Sequence, residues 1–468
     1  GAFSAASYIL IAKRLGPDGM GLVGLSQLWL LYASFTRSGV MAAASREIMH
    51  SLGRGDLAEA ERLEGAALAG EAFFLLLTFL AMAGIAAFWP LGPGLRPVLA
   101  ITAVSFLCNS MLQLIDNLAW AHQRFSLITR ANLISKASQP ALMLLGVYTT
   151  GLSGAIAAPA VASALTLLFY LTAGPKPRAP SEVRWPELRR LLGVGLPLSL
   201  LGALYWGFRT SDRVLVAKLL TIGDLGLFSF AMMFIGQGCQ WISDFLNVLQ
   251  SRLFTELGRV GEVRPLAPAI ERIGLMILVA TCAGAGVAQA GFGPAVALLA
   301  PKFRDGIPVF DILSLNLVGI CLPLLANTVL VSSVVNKQAP LAALQAGGLA
   351  VNVALGYGLT KAGYGLQGIA WSSVAAQLLV AFGAQALLHP DLSNSARKGA
   401  SARYYGLQAA LLALALAQFH LLSRLPHDAL SGLPLRLAPV LVLWGSLTVV
   451  LFRPRLTPPP APSEVNLV

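Results

Sequence analysis

The chain has 468 residues, 12% charged and 56% hydrophobic, with 33 basic residues against 21 acidic ones. An average soluble protein is about a quarter charged, so an ordinary soluble enzyme is excluded; fourteen membrane helices of roughly 20–22 residues would use about 300 residues and leave no room for an independent soluble domain. The net charge of +12 needs no nucleic-acid partner, because cytoplasmic loops and a polar lumen account for it.

Taken in chain order, a short apolar run over residues 1–12 precedes Lys13 and Arg14; it is too short to cross a bilayer, and the chain opens on Gly, so a clipped first helix is expected. Gly1 to Leu15 has neither the charged n-region nor the cleavage site of a signal peptide. Spanning runs follow at about 22–45, 66–90, 97–120, 126–149 and 152–173, then at 190–219, 226–250, 270–292, 308–334, 339–360, 365–388, 404–422 and 435–452. The fold class is therefore an all-α membrane protein of about 14 transmembrane helices.

Connections after even-numbered helices, with the C-terminal tail, hold twenty Lys and Arg (Arg46, Arg54 and Arg62 among them); those after odd-numbered helices hold nine, including Lys302, Arg304, Arg424 and Arg436. Twenty against nine places both termini in the cytoplasm by the positive-inside rule. The longest external connection is expected at about 291–307. The polar, proline-rich stretch 174–189 reads as a linker between two halves.

Internal repetition supports that cut. Ala12-Lys13 with Gly21-Leu22 recurs as Ala217-Lys218 with Gly226-Leu227, an offset of 205, and Gly151-Leu152-x-Gly154 recurs as Gly365-Leu366-x-Gly368, an offset of 214. The expected organisation is an N-terminal six-helix bundle (1–174), a cytoplasmic linker (175–189), a C-terminal six-helix bundle (190–390), two appended helices (391–453) and a disordered tail (454–468).

Several motifs point nowhere. Cys108, Cys239, Cys282 and Cys321 lie in apolar stretches without a CxxC pair, and the five histidines form no metal-binding spacing, so no metal site is expected. Gly363 to Gly368 matches GxGxxG, but between two membrane helices it reads as a tight turn. No Lys follows a Gly, so a Walker A loop is absent. No cofactor is expected, and energy must come from the substrate or a gradient, with coupling to H+ or Na+ as the candidates.

The informative residues are polar ones within spans, since a mid-membrane charge costs at least about 2.5 kcal/mol and must face a cavity or a partner. On the fourth helix Asn109, Gln113, Asp116 and Asn117 keep to one face, and on the eighth so do Gln237, Gln240, Asp244 and Asn247. Two wet faces in two halves suggest a shared aqueous lumen. The fifth helix adds Asn132, Lys136 and Gln139; the second adds Gln27, Ser34 and Arg37. On the seventh, Arg209 and Arg213 lie four apart and Asp212 is three from Arg209, close enough to pair with it. Arg37, Arg209 and Arg213 bind substrate anions or form structural ion pairs or snorkel, while Lys136 sits deeper and leans toward substrate. Asp116 and Asp244 are either a proton or sodium site or partners of those cations.

The stretch AKRLGPDGMGLVGLSQ (12–27), SREI (45–48) and SDRVLVAKLLTIGDLGLFSFA (211–231) resemble the polysaccharide-transporter branch of the multidrug/oligosaccharidyl-lipid/polysaccharide flippase superfamily. The resemblance implies two pseudo-symmetric six-helix bundles facing a central cationic cavity, alternating access, and undecaprenyl-pyrophosphate-linked oligosaccharide as cargo. The family's Asp-Arg pair early in helix seven corresponds to Asp212 and Arg213, and its Arg closing helix two to Arg46. The clipped first helix departs from the pattern, as do two extra C-terminal helices, which are shared with the peptidoglycan-precursor flippases of the superfamily.

The expected function is that of a flippase in the bacterial inner membrane serving polysaccharide or lipopolysaccharide biosynthesis, not an enzyme, with the lipid-linked glycan, the bilayer and polysaccharide assembly machinery as partners. A cation-coupled multidrug exporter is the first alternative; it should prefer acidic lumen residues. An integral-membrane glycosyltransferase or polysaccharide polymerase is the second, and it should carry a sizeable external loop.

Overall fold

A computed structural model of the chain describes residues 2–37, 39–90, 92, 94–173, 185–260, 262–332, 334–393, 398–425 and 432–452. Among these the secondary structure is helical throughout, with no strand. The helices are α1 (Ala2–Ser34, kinked at Gly16), α2 (Val40–Gly53), α3 (Leu57–Phe88), α4 (Leu95–Ala121), α5 (Phe125–Thr150), α6 (Leu152–Ala173), α7 (Trp185–Leu219) and α8 (Ile222–Val260), followed by α9 (Ala267–Leu299), α10 (Ile307–Ser314), α11 (Asn316–Val331), α12 (Gln338–Leu359), α13 (Gly365–Leu392), α14 (Lys398–Ser423) and α15 (Leu433–Phe452). Among the described residues nine stretches are long and apolar enough to cross a membrane, the one at Gln338–Leu392 holding both α12 and α13. With α5 and α7, whose apolar runs carry charges, and with the two arms of α1, of which the first is too short to span, the pattern is that of about fourteen membrane helices.

The structure corrects several boundaries. The second apolar run breaks at the 3₁₀ turn Phe35–Arg37, and a separate helix, α2, carries Arg46, while Arg62 lies on α3. Those arginines sit on helices, because a helix leaving the membrane keeps its backbone pairing while its side chains turn polar, and hydropathy registers only the second change. For the same reason α8 runs to Val260, and the end of the expected linker from Trp185 is the start of α7; residues 174–184 lie outside the described residues. The expected external connection at 291–307 is helix to Leu299 followed by the 3₁₀ segment Pro301–Gly306. Arg436 belongs to no connection: it is buried on α15.

The chain falls into two compact units, Gly1–Thr210 with Thr221–Gly226, and Ser211–Leu220 with Leu227–Val468. The boundary thus falls inside α7, whose residues from 190 onward the sequence reading assigned to the second bundle. The tail beyond Phe452 lies outside the described residues.

In the first unit, Val40, Ala44 and Ile48 of α2 pack with Leu63, Ala66 and Ala67 of α3, Leu118 of α4 and Leu191 of α7. Beside this cluster Arg190 pairs with Glu47 and with Glu59, which also takes Arg54 at 2.8 Å. In the second unit 94% of the residues in an apolar 18-residue segment within Pro301–Val331 are buried, against 17% in the corresponding segment of α15, so α10 and α11 lie near its centre. Phe292 stacks on Phe310 with centroids 3.6 Å apart, and Phe230 and Phe303 complete the patch.

Both repeats are visible in the backbone. Gly151 and Gly365 share one conformation (φ 68, ψ −132 and φ 52, ψ −131), a positive-φ corner closed to side chains with a Cβ, and each opens the last helix of a set. The other pair docks reciprocally inside the first unit: a Cβ on Gly21 would lie 2.9 Å from the carbonyl carbon of Ile222, and one on Gly226 would lie 2.7 Å from that of Pro17. Pro17 and Ile222 are themselves 205 apart, so the contact has a local twofold character. A reciprocal capping box holds the corner, Thr221 Oγ1 donating to Asp224 at 2.7 Å and Asp224 N–H returning to Thr221 at 3.1 Å.

Candidate functional site

The second unit holds a buried polar cluster where four helices meet. Asp212 is 1% exposed on α7, and its carboxylate accepts from the N–H of Arg213 at 2.7 Å and from Ser373 Oγ of α13 at 2.9 Å. Ser373 in turn accepts from Asn316 Nδ2 at 2.9 Å. Asn316 is the first residue of α11, placed there by the break at Leu315 that separates α10 from α11. Alongside, Asn352 of α12 donates to Ser211 Oγ at 2.8 Å and accepts from Ser372 at 2.9 Å. The donors run in one direction, Asn316 to Ser373 to Asp212, so the relay delivers its hydrogens to the carboxylate.

A buried carboxylate is stable only when paired or hydrogen-bonded. The cluster is built of carboxylate, amide and hydroxyl groups, whose oxygens are hard donors that suit a proton or a hard cation rather than a soft metal. The side-chain oxygen of Asn316 has no hydrogen-bond partner among the described residues, although the residue is fully buried. That is an acceptor position a cation would satisfy. A buried charge pair starts five residues before Asn316: Asp311 on α10 and Arg436 on α15 are 3% and 1% exposed and attract one another.

The predicted site residues distribute as follows. In the first unit Arg209 is half-buried, donates to Tyr205 Oη at 2.7 Å, and lies 5.5 and 5.6 Å from the Tyr205 and Trp206 ring centroids. Asp116 is half-buried and accepts from Tyr170 Oη at 2.5 Å; Asn109 and Asn117 are half-buried, and Gln113 and Lys136 are exposed. In the second unit Arg213 is half-buried beside Asp212, Gln237 is half-buried, and exposed Gln240 donates to exposed Asp244 at 2.8 Å. The side chains of Arg37, Arg46 and Asn247 lie outside the described residues. The structure therefore brings Asp116 to Tyr170, Gln240 to Asp244, and Asp212 into a relay.

Sequence reasoning missed Asn316, Asn352, Ser372 and Ser373 because it sought rows of polar residues on single helices. The available signal was the isolated Asn in each of two long apolar runs, LSLNLVG and LAVNVALG.

The structure superposes on an inward-facing multidrug resistance MATE family transporter of the MOP superfamily with a TM-score of 0.70, at 16% identity, covering 83% of this chain and 94% of that one. It superposes on the lipid II flippase MurJ, in an inward closed conformation, with a TM-score of 0.69, at 11% identity, covering 97% of this chain and 99% of MurJ. The fold is that of the MATE and MurJ transporters. A MOP superfamily transporter from Pyrococcus furiosus, described as having a binding pocket of reversed polarity, matches at a TM-score of 0.54 and 15% identity over 83% of this chain and 95% of its own. Residues 64–255 match the family model of polysaccharide biosynthesis proteins. No match was found among curated proteins. Fold and family model agree with the resemblance read from the sequence: this is a multi-pass membrane protein on a MATE/MurJ-type transporter fold.

Proposed function

We propose that the protein is a flippase that carries an undecaprenyl-pyrophosphate-linked oligosaccharide from the cytoplasmic to the external leaflet of the bacterial inner membrane by alternating access, for polysaccharide or lipopolysaccharide assembly. Both termini face the cytoplasm. The observation that carries the reading is Arg209: a guanidinium on α7, held against Tyr205 and Trp206, inside the segment that matches polysaccharide biosynthesis proteins. A pyrophosphate bearing a glycan cannot enter hydrocarbon, so the protein must offer cations for the phosphates while the polyprenyl tail stays in lipid. Arg37, Lys136, Arg209 and Arg213 are the residues assigned to that task, the arginines because their planar fork matches phosphate oxygens. The Asp212 cluster binds the coupling ion, Na+ or H+.

The test uses proteoliposomes containing a short-chain polyprenyl-pyrophosphate-linked N-acetylglucosamine with a fluorophore on the sugar. Protein-dependent exposure of the probe to a membrane-impermeant quencher is expected. Arg209→Ala and Arg213→Ala each lose a charge-assisted hydrogen bond of about 1.5–3 kcal/mol and slow exposure by about 10–150-fold, and Lys restores only part. Unchanged exposure without protein, full activity of the double Ala variant, or efflux of a lipophilic cation in place of the glycan probe would overturn the assignment.

A further inference from the structure

Polar contacts join the appended helices α14 and α15 to one another and α14 to α9. Gln289 of α9 donates to the Phe419 carbonyl at 3.2 Å, Trp444 of α15 donates to Gln418, and Arg436 donates to the Leu422 carbonyl at 2.8 Å while facing Asp311. Arg436 is the costliest of these groups to bury, since an isolated guanidinium in an apolar interior is strongly unfavourable and only a nearby carboxylate offsets it.

Asp311 lies five residues before Asn316 in the sequence, and almost no slack separates them. Ser314 Oγ donates to the Asp311 carbonyl at 2.7 Å, Leu315 N–H bonds to Ile312, and Val318 N–H bonds to Leu315, so α10 passes into α11 through one tight turn. Moving Asp311 by an ångström therefore moves the first residue of α11. That residue, Asn316, is the one that donates into the Ser373–Asp212 relay. All residues between are buried, and close-packed interiors transmit such shifts instead of absorbing them.

We propose that Arg436 is a positioning residue for the Asp212 cluster: through Asp311 it clamps the α10–α11 junction and so sets where Asn316 stands against Ser373 and Asp212. The appended hairpin is thus wired to ion coupling in the second unit and is more than packing around it. The inference rests on the reading of the Asp212 cluster as the cation site, and its test separates the two.

Purified full-length protein is titrated with NaCl against choline chloride at constant ionic strength, and separately across pH, with the thermal midpoint as readout. Wild type is expected to be stabilised along one of these axes, giving a half-saturating Na+ concentration or a midpoint pH, and Asp212→Asn should abolish that response. If Asp212→Asn responds as wild type does, the cation-site reading falls. Arg436→Met should weaken the response about fivefold or more in half-saturating Na+, or shift the midpoint pH correspondingly, and Arg436→Lys should restore most of it. Should Arg436→Met not fold, the double variant Asp311→Asn/Arg436→Met carries no unpaired charge, and a weakened response is expected of it too. If these Arg436 variants merely melt lower, with unchanged half-saturation, while Asp212→Asn abolishes binding, Arg436 is a structural residue and the positioning role is wrong.

Discussion

Gly226→Ala tests the reciprocal corner directly. A Cβ there would stand 2.7 Å from the Pro17 carbonyl carbon and 2.8 Å from Gly21 N, and closer still to the Pro17 oxygen, where ordinary contact begins at 3.4 Å. The shortfall of about 0.7 Å at the carbonyl carbon cannot be relieved by a rotamer change, because every neighbour is backbone. Overpacking of this kind costs about 1–3 kcal/mol, and with no side chain able to yield the upper end applies. Against it stands the helix-propensity gain of Ala over Gly, about 1 kcal/mol, for a net loss of about 2 kcal/mol. At 2–4 °C per kcal/mol for a unit of 150–250 residues, the midpoint should fall by about 4–8 °C. Gly406→Ala on α14 is the control: a Cβ there meets nothing within 4 Å, so propensity alone acts and the midpoint should hold or rise. The assay is reaction of a thiol-reactive fluorophore with the cysteines on heating, half-buried Cys108 reporting on the first unit and buried Cys239, Cys282 and Cys321 on the second, since these thiols become more accessible as the protein unfolds. If Gly226→Ala melts with wild type, or if both variants shift alike, the docked corner does not exist as described.

Two other substitutions probe the first unit. Tyr170→Phe removes the hydroxyl that donates to Asp116 at 2.5 Å; a hydrogen bond to a charged acceptor is worth about 1.5–3 kcal/mol, so the same thermal assay should show a clear fall, and an unchanged midpoint would mean that Asp116 is satisfied elsewhere. Arg190→Gln cuts the pairs to Glu47 and Glu59, but Arg190 is 51% exposed, so the loss should stay below about 1 kcal/mol and vanish in about 1 M salt; a large salt-independent loss would contradict a solvated network.

How much was legible in the sequence follows from what each signal measures. Hydropathy marks where a helix is in contact with lipid, and it located the spans; it is blind to helix that continues into water, which is why Arg46, Arg62 and the start of α7 were read as loop or linker. It also failed at Arg436, for the opposite reason. A charge at the edge of an apolar run looks like a boundary, and only the carboxylate of Asp311, 125 residues earlier, makes its burial tolerable. Helical spacing found the row of Gln240 and Asp244 because both partners share one helix. The same method missed the Asp212 relay, whose members come one or two at a time from four helices and whose spacing within each helix carries no pattern. The repeats stand between these cases. Identity at an offset of 205 was readable, and so was the demand for glycine, but not the partner that creates the demand. Each glycine is required by a carbonyl at the position equivalent to the one its own copy presents, Pro17 for Gly226 and Ile222 for Gly21. A duplicated corner that docks on its copy places the same demand on both, so a change in either copy is felt at a contact they share.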